Sequence, residues 1–170
     1  MAIADTGFLS SFSKIGRLKL ILKALKLKSI VVPSTVYEEL KNSGFFEDIS
    51  RLFAFKELDL TEQSFILVRH VDLSSLSSHF SREELNFLGR GELGCFMLAR
   101  KTGDIVLIDD RVAGDFAKKS NIKAASIPSF LLYCKNHGIL SSGEIRQVME
   151  DLRKKDYYQF SREIRDMLLK

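Results

Sequence analysis

The sequence predicts an α/β domain of three layers, in which a mostly parallel β-sheet lies between two layers of helices and a helical tail closes the chain. Short apolar runs alternate with segments whose apolar residues recur at helical spacing, which is typical of parallel sheets. A chain of 170 residues, 45% hydrophobic and 28% charged, has the composition of one globular domain. We expect the sheet domain to span residues 1–138, and residues 139–170 to form a helical extension packed on it.

The first forty residues contain two strand patterns and three helix patterns. The strand patterns are short, apolar and partly β-branched, and they occupy residues 1–4 and 29–32. Two helix patterns have apolar residues at helical spacing on either side of a glycine, at residues 8–15 and 17–25. The third begins with a capping-box pattern formed by Thr35 and Glu38.

The middle third contains fewer regular patterns. Residues 46–55 predict a helix, and residues 65–68 predict a strand. Ser81 and Glu84 form a second capping box, for a helix that ends at a glycine. Residues 92–101 predict the helix that follows.

The last third alternates strands with helices and then ends in helices. An apolar run predicts a strand at residues 105–108, and a short strand is expected at residues 122–125. Apolar residues at helical spacing predict helices at residues 111–119, 127–136, 142–154 and 161–169. Ser126 is expected to cap the second of these helices.

Cysteine content and the lack of export signals favour the cytoplasm. Cys95 and Cys134 are too far apart for a disulfide framework, and their apolar helical surroundings predict buried thiols. The apolar stretch at residues 18–32 contains four lysines, which excludes a membrane-spanning helix. Asp5 interrupts the position where a signal peptide would have its apolar run. We therefore expect a cytoplasmic protein that does not enter membranes.

Two predicted strands end in aspartates. Asp5 follows the first strand, and Asp109 and Asp110 follow the strand at residues 105–108. Because ligands bind beyond the carboxyl ends of strands in open parallel sheets, these carboxylates are expected to reach the same edge of the sheet. Aspartate is also a common turn residue, which is an ordinary structural explanation for either position.

Two helices each add a carboxylate to this edge. At about 100° per residue, Glu39 lies on the apolar, sheet-facing side of its helix, while Glu38 points to solvent. Glu92 shares a helix face with the apolar residues Cys95 and Phe96. Carboxylates that converge repel each other unless a hard divalent cation, Mg²⁺ or Mn²⁺, neutralises them. Spacing alone leaves open the alternative that these acids are turn residues and helix-surface acids.

Four short segments occur in the order of the motifs of PIN-domain nucleases. Residues 4–9 (ADTGFL) and 32–40 (VPSTVYEEL) resemble the first two motifs of that family. Residues 91–99 (GELGCFMLA) resemble the third motif, and residues 106–111 (VLIDDR) resemble the fourth. The similarity covers about residues 1–135. It looks closest to the toxin-type branch that is often called VapC-like.

The resemblance implies a three-layer PIN-like fold and a metal-dependent endoribonuclease that uses Mg²⁺ or Mn²⁺. Carried over to this sequence, the catalytic carboxylates would be Asp5, Glu39, Glu92 and Asp109. Asp5, Glu92 and Asp109, or Asp110 in its place, would hold the metal, with the Thr6 hydroxyl beside it. Glu92 departs from the aspartate of many relatives. The resemblance also implies an RNA substrate, a small antitoxin protein and a homodimer.

Two other hypotheses have a different chemistry. The chain could be a PIN-like module that binds RNA or a protein without catalysis, or a metal-dependent phosphatase that acts on nucleotides. The G-x-G-x-x-G spacing at residues 89–94 is better explained as a junction between helices, because no strand precedes it as a dinucleotide site requires.

The chain is mildly basic, with 26 Lys and Arg against 22 Asp and Glu and a net charge of +4. This balance permits contact with nucleic acid without requiring it. Arg90 and Arg111 adjoin predicted site acids and are candidates for phosphate or transition-state contacts. The six basic residues between positions 14 and 28 either face RNA or form a solvated helix surface, and the solvated surface is favoured.

Overall fold

Six short strands form one sheet at the centre of the molecule. The computed structural model describes the backbone of residues 1–170 and every side chain except those of Ser77 and His79. The strands are β1 (Ala2–Ala4), β2 (Ile30–Pro33), β3 (Phe53–Ala54), β4 (Ile66–Arg69), β5 (Ile105–Leu107) and β6 (Ala124–Ala125). Across the described backbone their order is β3-β4-β2-β1-β5-β6, and each neighbouring pair is parallel.

Helices flank this sheet, which confirms the predicted α/β/α architecture. They are α1 (Thr6–Lys14), α2 (Leu18–Leu25), α3 (Ser34–Lys41), α4 (Phe46–Ile49), α5 (Leu76–His79), α6 (Arg82–Phe87), α7 (Arg90–Thr102), α8 (Arg111–Lys119), α9 (Ile127–Asn136), α10 (Ser142–Lys155) and α11 (Arg162–Leu169). Within the described chain, no helix is both long and apolar enough to cross a membrane.

The strand order brings the carboxyl ends of β1, β2 and β5 to one edge. Strand β1 lies between β2 and β5, in a register that sets Ala4 opposite Leu107. The next residue, Asp5, donates its backbone N–H to the carbonyl of Leu107 over 3.0 Å. The chain segments that leave β1 and β5 therefore start side by side, and each leads into a helix.

An aromatic cluster joins the first helix to the C-terminal half of the chain. The buried rings of Phe8 and Phe12 on α1 stack at 5.0 Å, and Phe130 on α9 meets them edge-on at 5.8 and 5.3 Å. Such ring pairs each contribute about 0.5 to 1.5 kcal/mol beyond the burial of their area. Cys95 and Cys134 are buried free thiols, as their apolar surroundings predict.

Two of the predicted helix starts are confirmed and one is wrong. Ser81 and Glu84 form a reciprocal capping box, and Ser126 accepts the N–H of Ser129 at the start of α9. The capping box predicted for Thr35 and Glu38 does not form. Because Pro33 has the extended conformation of an N-cap residue, α3 begins at Ser34 and Thr35 lies inside its first turn.

The prediction of one helix over residues 46–55 is also wrong. Helix α4 ends at Ile49, a 3-10 turn covers Ser50–Leu52, and Phe53 begins strand β3. Phe53 and Ala54 pair with Ile66 and Leu67 of β4. A run of apolar residues this short is compatible with both the helical and the strand periodicity. Pairing with β4 stabilises the extended form.

The C-terminal segment is tied to helix α1 by charged side chains. Asp156, which follows α10, accepts hydrogen bonds of 2.6 Å from the hydroxyl of Ser11 and from Nζ of Lys14. Arg17 pairs with Asp151 at 3.7 Å. These two basic residues of the 14–28 stretch therefore have partners within the chain. The division of the chain at residue 138 stays a prediction.

Candidate active site

A small cavity opens at the carboxyl edge of the sheet. Its volume is about 270 Å³, and it is lined by Asp5, Thr6, Glu39, Gly89 and Glu92. Three of these are predicted site carboxylates that come from three different elements. The cavity therefore gathers residues that are up to 87 positions apart in the sequence, from Asp5 to Glu92.

Asp5 is the most deeply buried of these carboxylates. The residue is 8% exposed, and its Oδ1 accepts the N–H of Phe8 over 2.8 Å as the N-cap of α1. Burial, with the nearby charges of Glu92 and Asp109, raises the pKa of Asp5 to about 7, although hydrogen bonds from the backbone oppose the rise. A carboxylate in this position takes up a proton readily, or it requires a positive charge close by.

Glu92 lies in the first turn of α7 and is half-buried. Its Oε2 accepts the backbone N–H of Gly89 over 2.7 Å, which satisfies one free donor at the helix start. Burial raises the pKa of Glu92, and the charges of Asp110 and Glu39 raise it further. Asp5 and Glu92, two acids whose pKa is raised by burial, thus line the same cavity.

Glu39 uses both of its oxygens for contacts inside the protein. Oε2 accepts a short hydrogen bond from the hydroxyl of Thr6, and Oε1 accepts the backbone N–H of Gly91 over 2.8 Å. Glu38, one residue earlier, pairs with Lys41 at 3.3 Å on the solvent side. Glu39 therefore links helices α1, α3 and α7 at the cavity.

Asp109 and Asp110 lie beside the cavity but do not line it. Strand β5 ends at Leu107, so that Asp109 is two residues beyond the strand and half-buried. Its Oδ1 accepts both the N–H of Ile127 at 2.8 Å and the hydroxyl of Tyr158 at 3.0 Å. Burial raises the pKa of Asp109, and the charges of Asp156 and Asp110 add to this effect.

Asp110 is exposed and caps α8 through a 2.9 Å hydrogen bond from the N–H of Ala113 to its Oδ1. The negative charges of both aspartates nevertheless act on the acids that line the cavity. The charge of Asp109 raises the pKa of Asp5, and the charge of Asp110 raises that of Glu92.

The free oxygens of these carboxylates suit a hard cation. Within the described chain, Oε1 of Glu92 and Oδ2 of both Asp109 and Asp110 accept no hydrogen bond. Mg²⁺ and Mn²⁺ prefer an all-oxygen environment of this kind. In the present side-chain arrangement, however, no group of three or more His, Cys, Asp or Glu residues among the described side chains is placed to hold a metal ion. The donor chemistry fits such an ion, and the side chains would have to turn toward it.

Tyr158 is a site residue that the sequence patterns miss. It lies between α10 and α11, 49 residues after the aspartate that it contacts. Burial and the charge of Asp109 raise the pKa of its hydroxyl, so that the group remains a hydrogen-bond donor. No periodicity or motif in this segment points to the role, because the contact depends on how the tail folds back onto the sheet edge.

The two predicted arginines are exposed at the starts of helices next to the acids. Arg90 is the first residue of α7, and Arg111 is the first residue of α8. Arg90 also lines a second cavity, of about 470 Å³, which shares Glu39 with the first. Arg90 is thus two residues before Glu92, and Arg111 directly follows Asp110.

The sequence matches the model of a known protein family. The DUF3368 family model, which describes a PIN domain, matches residues 1–170. PIN domains are generally nucleases and typically bind divalent metal ions. No curated protein and no solved structure matches the chain. Since the family match extends over its whole length, the chain belongs to the PIN-domain family.

Proposed function

We propose that this protein is a metal-dependent endoribonuclease. The observation that carries the proposal is Asp5, a carboxylate that is 8% exposed at the end of the central strand and has the charges of Glu92 and Asp109 close by. A buried carboxylate among like charges is costly without a counter-ion. Membership in a family of nucleases provides the reaction class for such a group of acids.

Mg²⁺ or Mn²⁺ would be held by Asp5 and Glu92 together with Asp109 or Asp110. Glu92, Asp109 and Asp110 each have an oxygen that no donor of the described chain occupies. When bound, such an ion lowers the pKa of a bound water and stabilises negative charge on a phosphoryl oxygen. Glu39 is less suited to bind the ion, because both of its oxygens already accept hydrogen bonds.

The remaining side chains position the site and bind the substrate. Glu39 holds the start of α7 through Gly91, which orients Glu92 one residue later. Tyr158 and the N–H of Ile127 hold Oδ1 of Asp109 and keep its other oxygen directed away from them. Arg90 and Arg111 are exposed beside the acids and supply positive charge for RNA phosphates.

The test is cleavage of a labelled single-stranded RNA by the purified protein with Mn²⁺, with Mg²⁺ and with EDTA. Asp5→Asn and Glu92→Gln are each expected to lower the cleavage rate by about a hundredfold or more, since they remove a ligand of the catalytic ion. The matched control is Glu38→Gln, which neutralises the solvent-side neighbour of Glu39 and is expected to keep full activity. Cleavage that EDTA leaves unchanged, or full activity of Asp5→Asn, would contradict the proposal.

A non-catalytic PIN-like module that binds RNA is the second candidate. It is favoured by the side-chain arrangement, in which no three described acids are placed to hold a metal ion. RNA binding by the wild type without cleavage in either metal would select this candidate. Cleavage of a nucleotide but not of RNA would instead select a phosphatase.

A toxin role with a small antitoxin, and a homodimer, stay predictions from the VapC-like resemblance. Growth arrest upon expression of the wild type, but not of Asp5→Asn, would support the toxin role. The mass measured by light scattering at several concentrations would test the dimer.

A further inference from the structure

A groove of about 860 Å³ lies between α10, α11 and the segment that joins them. Its lining combines positive charge with aromatic rings. The arginines are Arg146, Arg153 and Arg165, and the rings include Tyr157, Tyr158 and Phe160. Glu150 is the only acid among the lining residues, which leaves an excess of two positive charges.

Two of these arginines are available for a ligand. Arg146 and Arg165 are exposed, and among the described side chains neither has an ion-pair partner. Arg153, by contrast, pairs with Glu150 at 3.0 Å, and Lys154 also approaches that carboxylate at 3.6 Å. The groove therefore has two cationic side chains that the protein itself does not neutralise.

Tyr157 presents its ring to solvent in a strained backbone conformation. Its φ of 55° lies in the left-handed region, which costs a non-glycine residue about 1 kcal/mol or more, and the residue is 85% exposed. The backbone N–H groups of Asp156 and Tyr158 both donate to the carbonyl of Leu152, which stabilises this turn. As a result, Tyr157 points outward while Tyr158 points toward Asp109.

The groove adjoins the acidic site through a single side chain. Tyr158 lines the groove, and its ring lies 4.6 Å from that of Phe160 in a tilted arrangement. Its hydroxyl donates to Asp109 over 3.0 Å. Asp156 fixes the same segment to Lys14 of α1, the helix that Asp5 caps. A polymer bound in the groove would thus have its next unit close to the acids.

We propose that this groove is a subsite for single-stranded RNA, in which Arg146 and Arg165 bind phosphates and Tyr157 stacks on an unpaired base. The inference rests on the proposed ribonuclease function and adds to it a binding surface outside the acidic cavity. Aromatic rings beside cationic side chains are the usual means of binding single strands without regard to sequence. In a duplex the bases are already stacked on one another, so that the ring of Tyr157 would have no base face to contact.

The test measures binding separately from cleavage. The background is Asp5→Asn in EDTA, and the probe is a fluorescent single-stranded RNA of about 12 nucleotides, followed by anisotropy. Tyr157→Ala is expected to weaken binding by about tenfold, as the loss of one stacked base predicts, while Tyr157→Phe keeps the ring and the affinity. An abasic strand of the same length offers no base to stack on. It should therefore bind equally to the Asp5→Asn protein with and without Tyr157→Ala.

The arginines are tested by the salt dependence of the same binding. Each phosphate contact on a single strand contributes about 0.7 to the slope of log affinity against log salt, so Arg146→Ala with Arg165→Ala should reduce the slope by about 1.4. Arg51→Ala is the control, since Arg51 is exposed on the 3-10 turn before the edge strand β3.

The outcomes separate this inference from the proposed function. If wild-type protein cleaves RNA but Tyr157→Ala and the arginine variants bind RNA normally, the groove is not the subsite and the ribonuclease proposal stands. Equal weakening for a duplex and for the single strand would also overturn the subsite. If the variants lose single-strand affinity as expected while wild-type protein fails to cleave, the subsite stands and the ribonuclease proposal falls.

Discussion

The carboxylate of Glu39 accepts the backbone N–H of Gly91 over 2.8 Å, although the two residues are 52 positions apart. The contact is possible only because position 91 has no side chain. A Cβ there would lie 2.5 Å from Oε2 and 2.8 Å from Oε1 of Glu39. The glycine of the third motif thus permits helix α7 to begin against the glutamate of the second.

Gly91→Ala is expected to impair cleavage while leaving the fold intact. The added methyl group would displace the Glu39 carboxylate, which is the far end of a flexible side chain, and break its contacts with Thr6 and Gly91. We expect about a tenfold lower kcat, because small misplacements of a site group are costly, with little change in Tm. The control is Gly44→Ala, where a Cβ meets nothing within 4 Å. Equal activity of the two variants would contradict a positioning role for Glu39.

Gly94→Ala is expected to destabilise the protein. A Cβ at this buried position would lie 2.1 Å from Oγ1 of Thr35 and 3.1 Å from Cβ of Pro33, so that helices α3 and α7 would have to separate. Overpacking of this kind costs about 1 to 3 kcal/mol, measured by denaturant unfolding. The matched control is Gly114→Ala on a helix, where the added Cβ would meet no atom within 4 Å. This variant should instead have a free energy of unfolding about 0.5 to 1 kcal/mol higher than the wild type.

Thr35→Val is expected to stabilise the protein by about 1 kcal/mol. The hydroxyl of Thr35 is buried and, among the described side chains, has no hydrogen-bond partner. Valine has nearly the same shape and removes the unsatisfied group at no cost to a hydrogen bond. Thr35→Ser keeps the hydroxyl and serves as the comparison. A lower denaturation midpoint for Thr35→Val would show that the hydroxyl has a partner in solution.

Asp5→Asn is expected to stabilise the metal-free protein at high pH. The pKa of Asp5 is 3.8 in the unfolded reference and about 7 in the fold, so between these values the native state binds more protons than the unfolded chain. The free energy of unfolding therefore falls as the pH rises through this window. Asparagine keeps the N-cap and removes the charge. The substitution should therefore raise the free energy of unfolding by about 2 to 4 kcal/mol above pH 7 and change it little below pH 4.

This gain is measured by denaturant unfolding in EDTA across that range of pH. The exposed acid Asp115 provides the control variant, Asp115→Asn, which should show no such pH dependence. A gain of equal size at every pH would show that the charge of Asp5 is not its cause. Added Mn²⁺ should reverse the order and favour the wild type, since a ligand that binds only the native state stabilises it.

Tyr158→Phe is expected to shift metal binding toward higher pH. The hydrogen bond from Tyr158 lowers the pKa of Asp109, so its removal should raise that pKa further above its ordinary value. Because a metal binds the ionised carboxylate, Mn²⁺ affinity should then be lost at a higher pH than in the wild type. Calorimetric titrations at several pH values measure the shift. The control is Tyr157→Phe, whose hydroxyl is exposed, and an identical shift in both variants would contradict the role of Tyr158.

Local periodicity was sufficient to predict three interior strands of the sheet and two of the helices beside it. Strands β1, β2 and β5 and helices α8 and α9 lie within one or two residues of their predicted bounds. Strand β3 could not be predicted, because a strand of two residues is too short to show an alternating pattern. Its extended form depends on pairing with β4. The start of α3 was misplaced because Pro33 takes the capping conformation that the pattern assigned to Thr35.

By itself, the sequence determined the fold class and the elements that deliver each acid, because both depend on patterns within a few residues. Tertiary structure decided which oxygen of each carboxylate is engaged and which is free. Both oxygens of Glu39 accept hydrogen bonds, from Thr6 and from Gly91. Asp109 has one free oxygen, because Ile127 and Tyr158 both donate to the other. Such hydrogen bonds join residues far apart in the chain, and only the packed chain brings their donors and acceptors within 3 Å.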